Sequence, residues 1–393
     1  GFKVSEAEVG EILRYLGFTV NSLGDRVDVI VPSWRTLDIT RDIDLVEEIA
    51  RLIGYDKAPS TLPKKQILPE SVTKVQKTSL IAKTSLEASG LSEIVTYSIT
   101  SPDFYKKIGL RSSPLFTPGG SDQLELANPL SPELSALRVS LLPELIAVLE
   151  RNWSRQIYDL KIFEAGTVFS ATPIDPDKKQ KEPIFPKETK KIAGIICGEF
   201  LDKPWADTKN NSVDFYTLKG ILEQLFVELN IPKLDLKHSV HPLFHPGKSA
   251  DLLGVGVFGE LHPTIMRELG LLQKAYAFEL NLEALAEFAN FTRIQKPIPN
   301  QPYARRDIAF ILPETISFIE IEKTISELHS PLITSWYLFD SYRGDQIKAG
   351  HISMAVAIHY QAADRTLTDA DVDLEHQKVI KTLKDKLKVE IRS

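Results

Sequence analysis

Residues 305–312 read RRDIAFIL, and from there the chain alternates strand-like and helix-like segments to its end. Two strand-like stretches follow in close succession, ITSWYLFD (333–340) and HISMAVAIHY (351–360). Apolar residues recur at helical spacing in two others, SFIEIEKTISEL (317–328) and TLTDADVDLEHQKVIKTLKDKL (366–387). With KVEIR as a last short strand, the predicted order is βαββαβ.

This order, within about 90 residues, is that of the ferredoxin-like split βαβ fold. Thr368 is placed to cap the long helix, with Asp371 at the third helical position. We therefore predict a C-terminal ferredoxin-like domain over residues 300–393.

The first segment of the chain, residues 1–70, predicts a small helical, winged-helix-like domain. Ser5 and Glu8 have the spacing of a capping box, and Gly17 lies where a helix C-terminal glycine is expected. A short strand that ends at Pro32 follows, and a second helix is predicted over residues 40–53. A Pro-rich linker then leads to the next segment.

Residues 71–295 mix helices with strands that we expect to form an antiparallel sheet, so the fold class is α+β and multidomain. The stretch DLKIFEAGTVF (159–169) predicts two short strands that meet at Gly166. The polar, Pro-rich residues 172–191 predict a surface loop between strands.

Bulk composition indicates an ordinary soluble protein, with 43% hydrophobic and 25% charged residues among 393. No apolar run reaches the roughly 20 residues that a membrane span needs. A single cysteine, Cys197, excludes a multi-cysteine zinc site and favours the reducing cytoplasm. The net charge of −6 argues against a generally basic nucleic-acid binder. No signal peptide is visible, and the start at Gly1 without Met suggests a piece of a longer chain.

Acidic residues cluster between positions 38 and 48. On a helix, Asp44, Glu47 and Glu48 share one face, and Asp38 precedes them. Four carboxylates without Cys or His suit a hard cation such as magnesium, and a metal-dependent hydrolase is one reading of them. An ordinary acidic helix face, favoured by the helix dipole, is the alternative. His241, His245 and His262 are close in sequence, but prolines interrupt their spacing, which argues against a metal site on a regular helix there.

Three stretches together resemble the bacterial-type phenylalanyl-tRNA synthetase beta-subunit family. The first, residues 31–63, resembles the small domain that supplies magnesium ligands near the alpha subunit. The family's ligand pattern falls on Asp38, Asp44, Glu47 and Glu48. Residues 127–152 and 159–169 are similar to its degenerate class II synthetase core.

That core lacks the residues of a working class II site. Ile162 stands where the family of active enzymes has an arginine two residues before Glu164, and no Gly-rich stretch with Glu-Arg follows. Arg138 is a weak candidate phosphate binder, and a structural, salt-bridged arginine is the favoured interpretation. The resemblance therefore implies a catalytically inactive core.

The third stretch, residues 301–373, resembles the ferredoxin-fold anticodon-binding domain of the family. It implies tRNA contacts, with Tyr303 and Tyr342 able to stack on bases. The candidate cationic contacts are Arg305, Arg306, Arg343, Lys348 and Arg365. Within-domain ion pairs are the alternative for single arginines, because residues 300–393 contain 12 Lys or Arg against 14 Asp or Glu.

The resemblance implies a non-catalytic part of phenylalanine–tRNA ligase that binds magnesium and contacts tRNA-Phe. It also implies an alpha-subunit partner that binds ATP and phenylalanine, in a heterotetramer of two alpha and two beta chains. The upstream modules, including the editing domain, are expected to be missing. The alternative is a stand-alone RNA-binding or scaffold protein without a role in charging.

Overall fold

The computed structural model of the chain describes residues 2–22, 26–62, 71–110, 123–171, 185–201, 211–232, 236–252, 254–295, 297–344 and 347–392. They divide into two compact units, Gly1–Gln76 and Lys77–Ser393. The three predicted domains, 1–70, 71–295 and 300–393, stay a prediction at these boundaries. Within the described ranges, no helix combines the length and apolar character that crossing a membrane requires.

The helices are α1 (Glu6–Tyr15), α2 (Asp42–Ile53), α3 (Lys74–Ala88), α4 (Pro102–Lys107), α5 (Leu142–Trp153), α6 (Phe215–Glu228), α7 (Pro263–Glu268), α8 (Leu282–Phe288), α9 (Phe318–Ser326) and α10 (Asp369–Leu387). The strands are β1 (Thr19–Ser22), β2 (Val27–Ile30), β3 (Ser92–Glu93), β4 (Ile99–Thr100), β5 (Ala136–Leu137), β6 (Leu160–Ser170), β7 (Lys187–Cys197), β8 (Leu236–His238), β9 (Phe244–Leu252), β10 (Gly256–Leu261), β11 (Ala275–Asn281), β12 (Ala304–Pro313), β13 (Ile333–Tyr342), β14 (His351–Tyr360) and β15 (Glu390–Arg392).

The first unit packs α1 and α2 with the antiparallel pair β1–β2. The predicted capping box of α1 is present, since Ser5 accepts a hydrogen bond from the Glu8 backbone and Glu8 accepts one from Ser5. Gly17 has a φ of 90°, which confirms its predicted place after the helix. The small core is formed by Leu13, Phe18 and Ile39.

The middle of the chain forms a seven-stranded sheet in the order β3-β6-β7-β11-β10-β9-β8. All neighbours are antiparallel except β3 and β6. One face carries Ile195 and Ala277, which belong to one core cluster with the apolar residues of α5. On the other face, Phe258 stacks against Phe215 of α6.

The structure corrects two sequence predictions in this region. The two short strands expected around Gly166 are one continuous strand, β6, so that prediction is wrong. Of the predicted surface loop, residues 172–184 lie outside the described residues, and Lys187–Lys191 begin β7 rather than continuing a loop.

The C-terminal residues form a four-stranded antiparallel sheet in the order β13-β14-β12-β15. The chain order β12-α9-β13-β14-α10-β15 confirms the predicted ferredoxin-like βαββαβ arrangement. The predicted capping box of α10 is present at Thr368 and Asp371. Alternate residues of β12 and β14, such as Phe310 and Val356, belong to one core cluster with apolar residues of α9 and α10.

Candidate functional site

The acidic cluster of the first unit is held together by hydrogen bonds within the chain. Asp44 sits at the third position of α2, and its Oδ2 accepts the backbone N–H groups of Thr40 at 2.9 Å and Arg41 at 2.8 Å. These two N–H donors hold the pKa of Asp44 below its usual range. Asp44 is therefore the third-position residue of the capping box, and it accepts the backbone N–H of the N-cap residue Arg41.

Asp38 and Glu48 are bridged by Arg35. The Arg35 Nε donates to Asp38 Oδ2 at 2.8 Å, and its Nη2 donates to Glu48 Oε1 at 3.0 Å. The other oxygen of Glu48 accepts from Arg51 at 2.6 Å. Hydrogen bonds from Arg35 and Arg51 lower the pKa of Glu48, which is 8% exposed.

Asp38, Asp44, Glu47 and Glu48 do not fit a magnesium site as they are arranged. Among the described residues there is no group of three or more His, Cys, Asp or Glu side chains that could hold a metal ion. Asp38 and Glu48 already contact Arg35, while Glu47 is exposed on the surface of α2. The four residues as magnesium ligands stay a prediction.

A buried ion pair lies where β6 passes the segment before α5. Arg138 Nη1 donates to Glu164 Oε1 at 2.7 Å, and the two side chains are 3% and 2% exposed. Arg138 also donates to Thr96 Oγ1 and to the Thr167 carbonyl oxygen. The guanidinium is thus bound by groups of the chain itself, as the structural interpretation of Arg138 predicted.

A second buried carboxylate, Glu279 of β11, joins the same end of α5 to the sheet. Its Oε1 accepts from Ser140 Oγ and from the Leu141 backbone N–H, both at 2.7 Å. Its Oε2 accepts from Lys191 Nζ at 2.6 Å. Burial raises the pKa of Glu279, but Lys191 and the hydrogen-bond donors outweigh burial and leave it lowered.

The three candidate histidines accept local backbone hydrogen bonds. The Nδ1 atoms of His241, His245 and His262 accept the N–H groups of Leu243, Gly247 and Thr264, respectively. No metal-binding group that includes them is found in the described ranges. Local turn and cap formation accounts for these contacts.

The face of the four-stranded sheet that points away from α9 and α10 carries aromatic and cationic side chains. We call Tyr303, Arg305, Tyr337, Phe339 and His359 the open sheet face. The guanidinium of Arg305 lies 5.8 Å from the Tyr337 ring centroid and 5.4 Å from that of Phe339. The His359 ring lies 4.6 Å from Tyr303 and 5.8 Å from Tyr337. These exposed rings can stack on flat ligands such as nucleic-acid bases.

The strand register explains why these residues meet. Arg305 of β12 lies opposite His359 of β14, which in turn lies opposite Ser335 of β13. In the next row of the same face, Ala357 lies opposite Tyr337. A small side chain therefore sits beside the large ring in the middle of the sheet.

The five predicted tRNA-contacting cations are not brought together. Arg305 belongs to the open sheet face, although it also forms a two-point ion pair with Asp307. Arg306 points to the opposite face and pairs with Asp369 and Asp373 of α10. Arg365 pairs with Asp371, and Arg343 with Glu314. Lys348 lies in the exposed turn before β14.

Sequence reasoning missed Tyr337, Phe339 and His359. The signal was present in ITSWYLFD, where Tyr337 and Phe339 alternate with the half-buried Trp336 and Leu338. A strand with aromatic or apolar residues on both faces, only one of which is covered by helices, presents rings to solvent.

Family profiles match almost all of the chain. The profile described as the tRNA synthetase B5 domain matches residues 1–55. The phenylalanyl tRNA synthetase beta chain CLM domain matches residues 58–282. The ferredoxin-fold anticodon binding domain matches residues 299–392.

Curated relatives are phenylalanine–tRNA ligase beta subunits. Those of Bacillus subtilis and Geobacter metallireducens are each 34% identical over 100% of this chain. The matched region is 47% of the Bacillus subtilis protein and 48% of the Geobacter metallireducens protein. That of Geobacillus kaustophilus is 33% identical over 97% of this chain and 46% of the relative. The chain thus spans about half the length of the curated relatives it matches.

Solved structures with some likeness include a pyrrolysyl-tRNA synthetase from Desulfitobacterium hafniense. It shows a TM-score of 0.39 and 14% identity over 54% of this chain and 67% of that one. A second pyrrolysyl-tRNA synthetase structure from the same organism shows a TM-score of 0.37 and 16% identity, over 53% of this chain and 64% of that one. No fold is assigned from these values.

Proposed function

Because the chain belongs to the phenylalanyl-tRNA synthetase beta-chain family, we propose that it is the non-catalytic C-terminal part of the beta subunit of phenylalanine–tRNA ligase. The observation that carries the proposal is the succession of three profiles along one chain, B5, beta-chain CLM and anticodon-binding. Phenylalanine–tRNA ligase attaches phenylalanine to tRNA-Phe and consumes ATP.

The proposal divides the work between subunits. An alpha subunit binds ATP and phenylalanine, and two alpha and two beta chains form the enzyme in the cytoplasm. Magnesium for the reaction is then bound chiefly through ATP phosphates, as is usual for this ion. The seven-stranded sheet serves as a class II synthetase-like platform without catalysis of its own. Arg138 donates hydrogen bonds to Glu164 and Thr96 and is not available to bind a phosphate. This supports the proposal that the sheet has no catalytic activity.

The open sheet face supports the tRNA-contact part of the proposal. Single-stranded RNA is typically bound by rings that stack on unpaired bases and by cations that contact phosphates. Tyr337 and Phe339 supply rings that are 43% and 47% exposed, and Arg305 supplies a cation beside them. An anticodon loop offers unpaired bases to such a face.

We expect this chain to form a stable complex with a bacterial phenylalanyl-tRNA synthetase alpha subunit. The measurement is co-purification followed by light scattering, with the mass expected for two alpha and two beta chains. ATP–pyrophosphate exchange by the chain alone is expected to be absent. Binding of tRNA without any association with the alpha subunit, where a full-length beta subunit does associate, would instead favour the stand-alone RNA-binding protein.

Tyr337→Ala is expected to weaken binding of tRNA-Phe by about tenfold, because stacking of one base on an aromatic ring contributes about 1–3 kcal/mol. Fluorescence anisotropy with a labelled tRNA-Phe transcript at fixed salt measures the change. Tyr216→Ala is the matched control, since Tyr216 is an exposed tyrosine of α6. Equal effects of the two substitutions would remove the open sheet face from the proposal.

A further inference from the structure

The acidic cluster of the first unit contains its own cation. Arg35 approaches Asp38 Oδ2 at 2.8 Å and Glu48 Oε1 at 3.0 Å, so its guanidinium bridges the two carboxylates. The Arg35 side chain is only 22% exposed and lies 5.9 Å from the ring of the core residue Phe18. The bridge is therefore anchored on the core of the unit rather than free in solvent.

Arg35 also links two segments of the backbone. Its carbonyl oxygen accepts the N–H of Ile39 at 3.0 Å, in the turn that leads to α2. Its side chain reaches Glu48, which lies in the middle of α2 and is also bound by Arg51. One side chain thus ties the turn before α2 to the helix itself.

Three arginines offset most of the charge of the four candidate ligands, and with Asp42 the net charge of residues 35–51 is −2. Arg35, Arg41 and Arg51 oppose all but one of the negative charges of Asp38, Asp44, Glu47 and Glu48. Magnesium requires near-octahedral oxygen ligands at about 2.0–2.1 Å. Asp38 and Glu48 direct oxygens at Arg35 and Arg51, and the described residues contain no group of three or more carboxylate, His or Cys side chains that could hold a metal ion. Like-charge repulsion among the carboxylates therefore does not demand a divalent ion here.

We propose that Arg35 is the fixed cation of this cluster, and that the first unit keeps its fold without a bound metal ion. This inference does not rest on the proposed function, since it concerns the chain alone. It departs from what the family resemblance implies, which is that these four carboxylates bind magnesium.

Hydrogen exchange of the full chain, followed by mass spectrometry on peptides that cover residues 33–53, tests the inference. Exchange in wild-type protein is expected to be the same in EDTA and in millimolar MgCl2. Arg35→Met is expected to speed exchange in these peptides by about tenfold, which is the scale of hydrogen bonds to charged groups. Arg41→Met is the matched control, because the Arg41 side chain is 73% exposed and its ion pair with Asp44, at 3.4 Å, is longer than those of Arg35.

A second variant separates the cationic role from simple packing. If Arg35 acts as a cation between carboxylates, adding Glu48→Gln to Arg35→Met is expected to cost less than the sum of the two single changes. Faster exchange of the wild-type peptides in EDTA would overturn the inference. Equal exchange in Arg35→Met and Arg41→Met, or additive effects of Arg35→Met and Glu48→Gln, would do the same.

Discussion

Arg138→Met is expected to lower the free energy of unfolding of the seven-stranded sheet by about 3–5 kcal/mol, the cost of leaving a buried charge without its partner. Glu164, 2% exposed on its side chain, would lose its guanidinium partner. Thr96 and the Thr167 carbonyl would lose donors at the same time. Methionine is close to arginine in length, so lost charge rather than lost volume dominates the effect.

Urea unfolding followed by tryptophan fluorescence measures this change, because Trp153, one of four tryptophans, packs against the core of the seven-stranded sheet. Lys106→Met is the control, since it breaks an exposed pair with Asp103 and is expected to change stability little. The double variant Arg138→Met with Glu164→Gln is expected to be more stable than Arg138→Met alone. A single variant as stable as the control would show that the buried pair contributes nothing measurable.

The C-terminal domain could be predicted from sequence because several local signals agree there. Alternation in β14 and helical spacing in α10 indicate the elements, and Thr368 with Asp371 marks the start of α10. Short connections between these elements leave few ways to arrange them. The chain order follows, and the sheet order β13-β14-β12-β15 agrees with it.

Gly166 shows why β6 was predicted as two strands. A glycine inside a strand pattern ordinarily indicates a break or bulge, but the same signal arises where another group approaches the backbone closely. A Cβ at Gly166 would clash with Arg138 Nη2. The glycine therefore makes room for the buried guanidinium, which is a tertiary contact that no local pattern contains.

The acidic cluster illustrates a different limit. The carboxylates between positions 38 and 48 are compatible with either a magnesium site or an acidic helix face, and Arg35, Arg41 and Arg51 lie among and beside them in the sequence. Spacing places Arg35 three residues before Asp38, but its reach to Glu48 depends on how the turn packs on α2. Only the fold shows which carboxylates an arginine occupies.

The stability of the seven-stranded sheet is expected to fall as the pH decreases from 6.5 to 5 because of His241. Burial lowers the pKa of His241 from 6.5 to about 4, while nearby Glu279 raises it in part and Lys191 lowers it. The unfolded chain therefore binds a proton near pH 6.5 that the folded protein does not bind. The free energy of unfolding is therefore not reduced by His241 above pH 6.5. It decreases as the pH falls from 6.5 towards 4, by at most about 1.4 kcal/mol for each pH unit.

His241→Asn is expected to remove most of this pH dependence, because an amide oxygen can accept the Leu243 N–H in place of Nδ1 but does not titrate. Urea unfolding at pH 7, 6 and 5, followed by tryptophan fluorescence, should show that the free energy of unfolding falls by about 2 kcal/mol in wild type and by much less in the variant. Glu279 does not confuse the comparison, since its lowered pKa affects stability only below its ordinary value of 4.5. The matched control is Val240→Asn, at the exposed position next to His241, which changes no titratable group and should retain the wild-type slope. Parallel slopes for wild type and His241→Asn would mean that the pKa of His241 is the same in the folded and unfolded protein, so that its burial imposes no cost between pH 7 and 5.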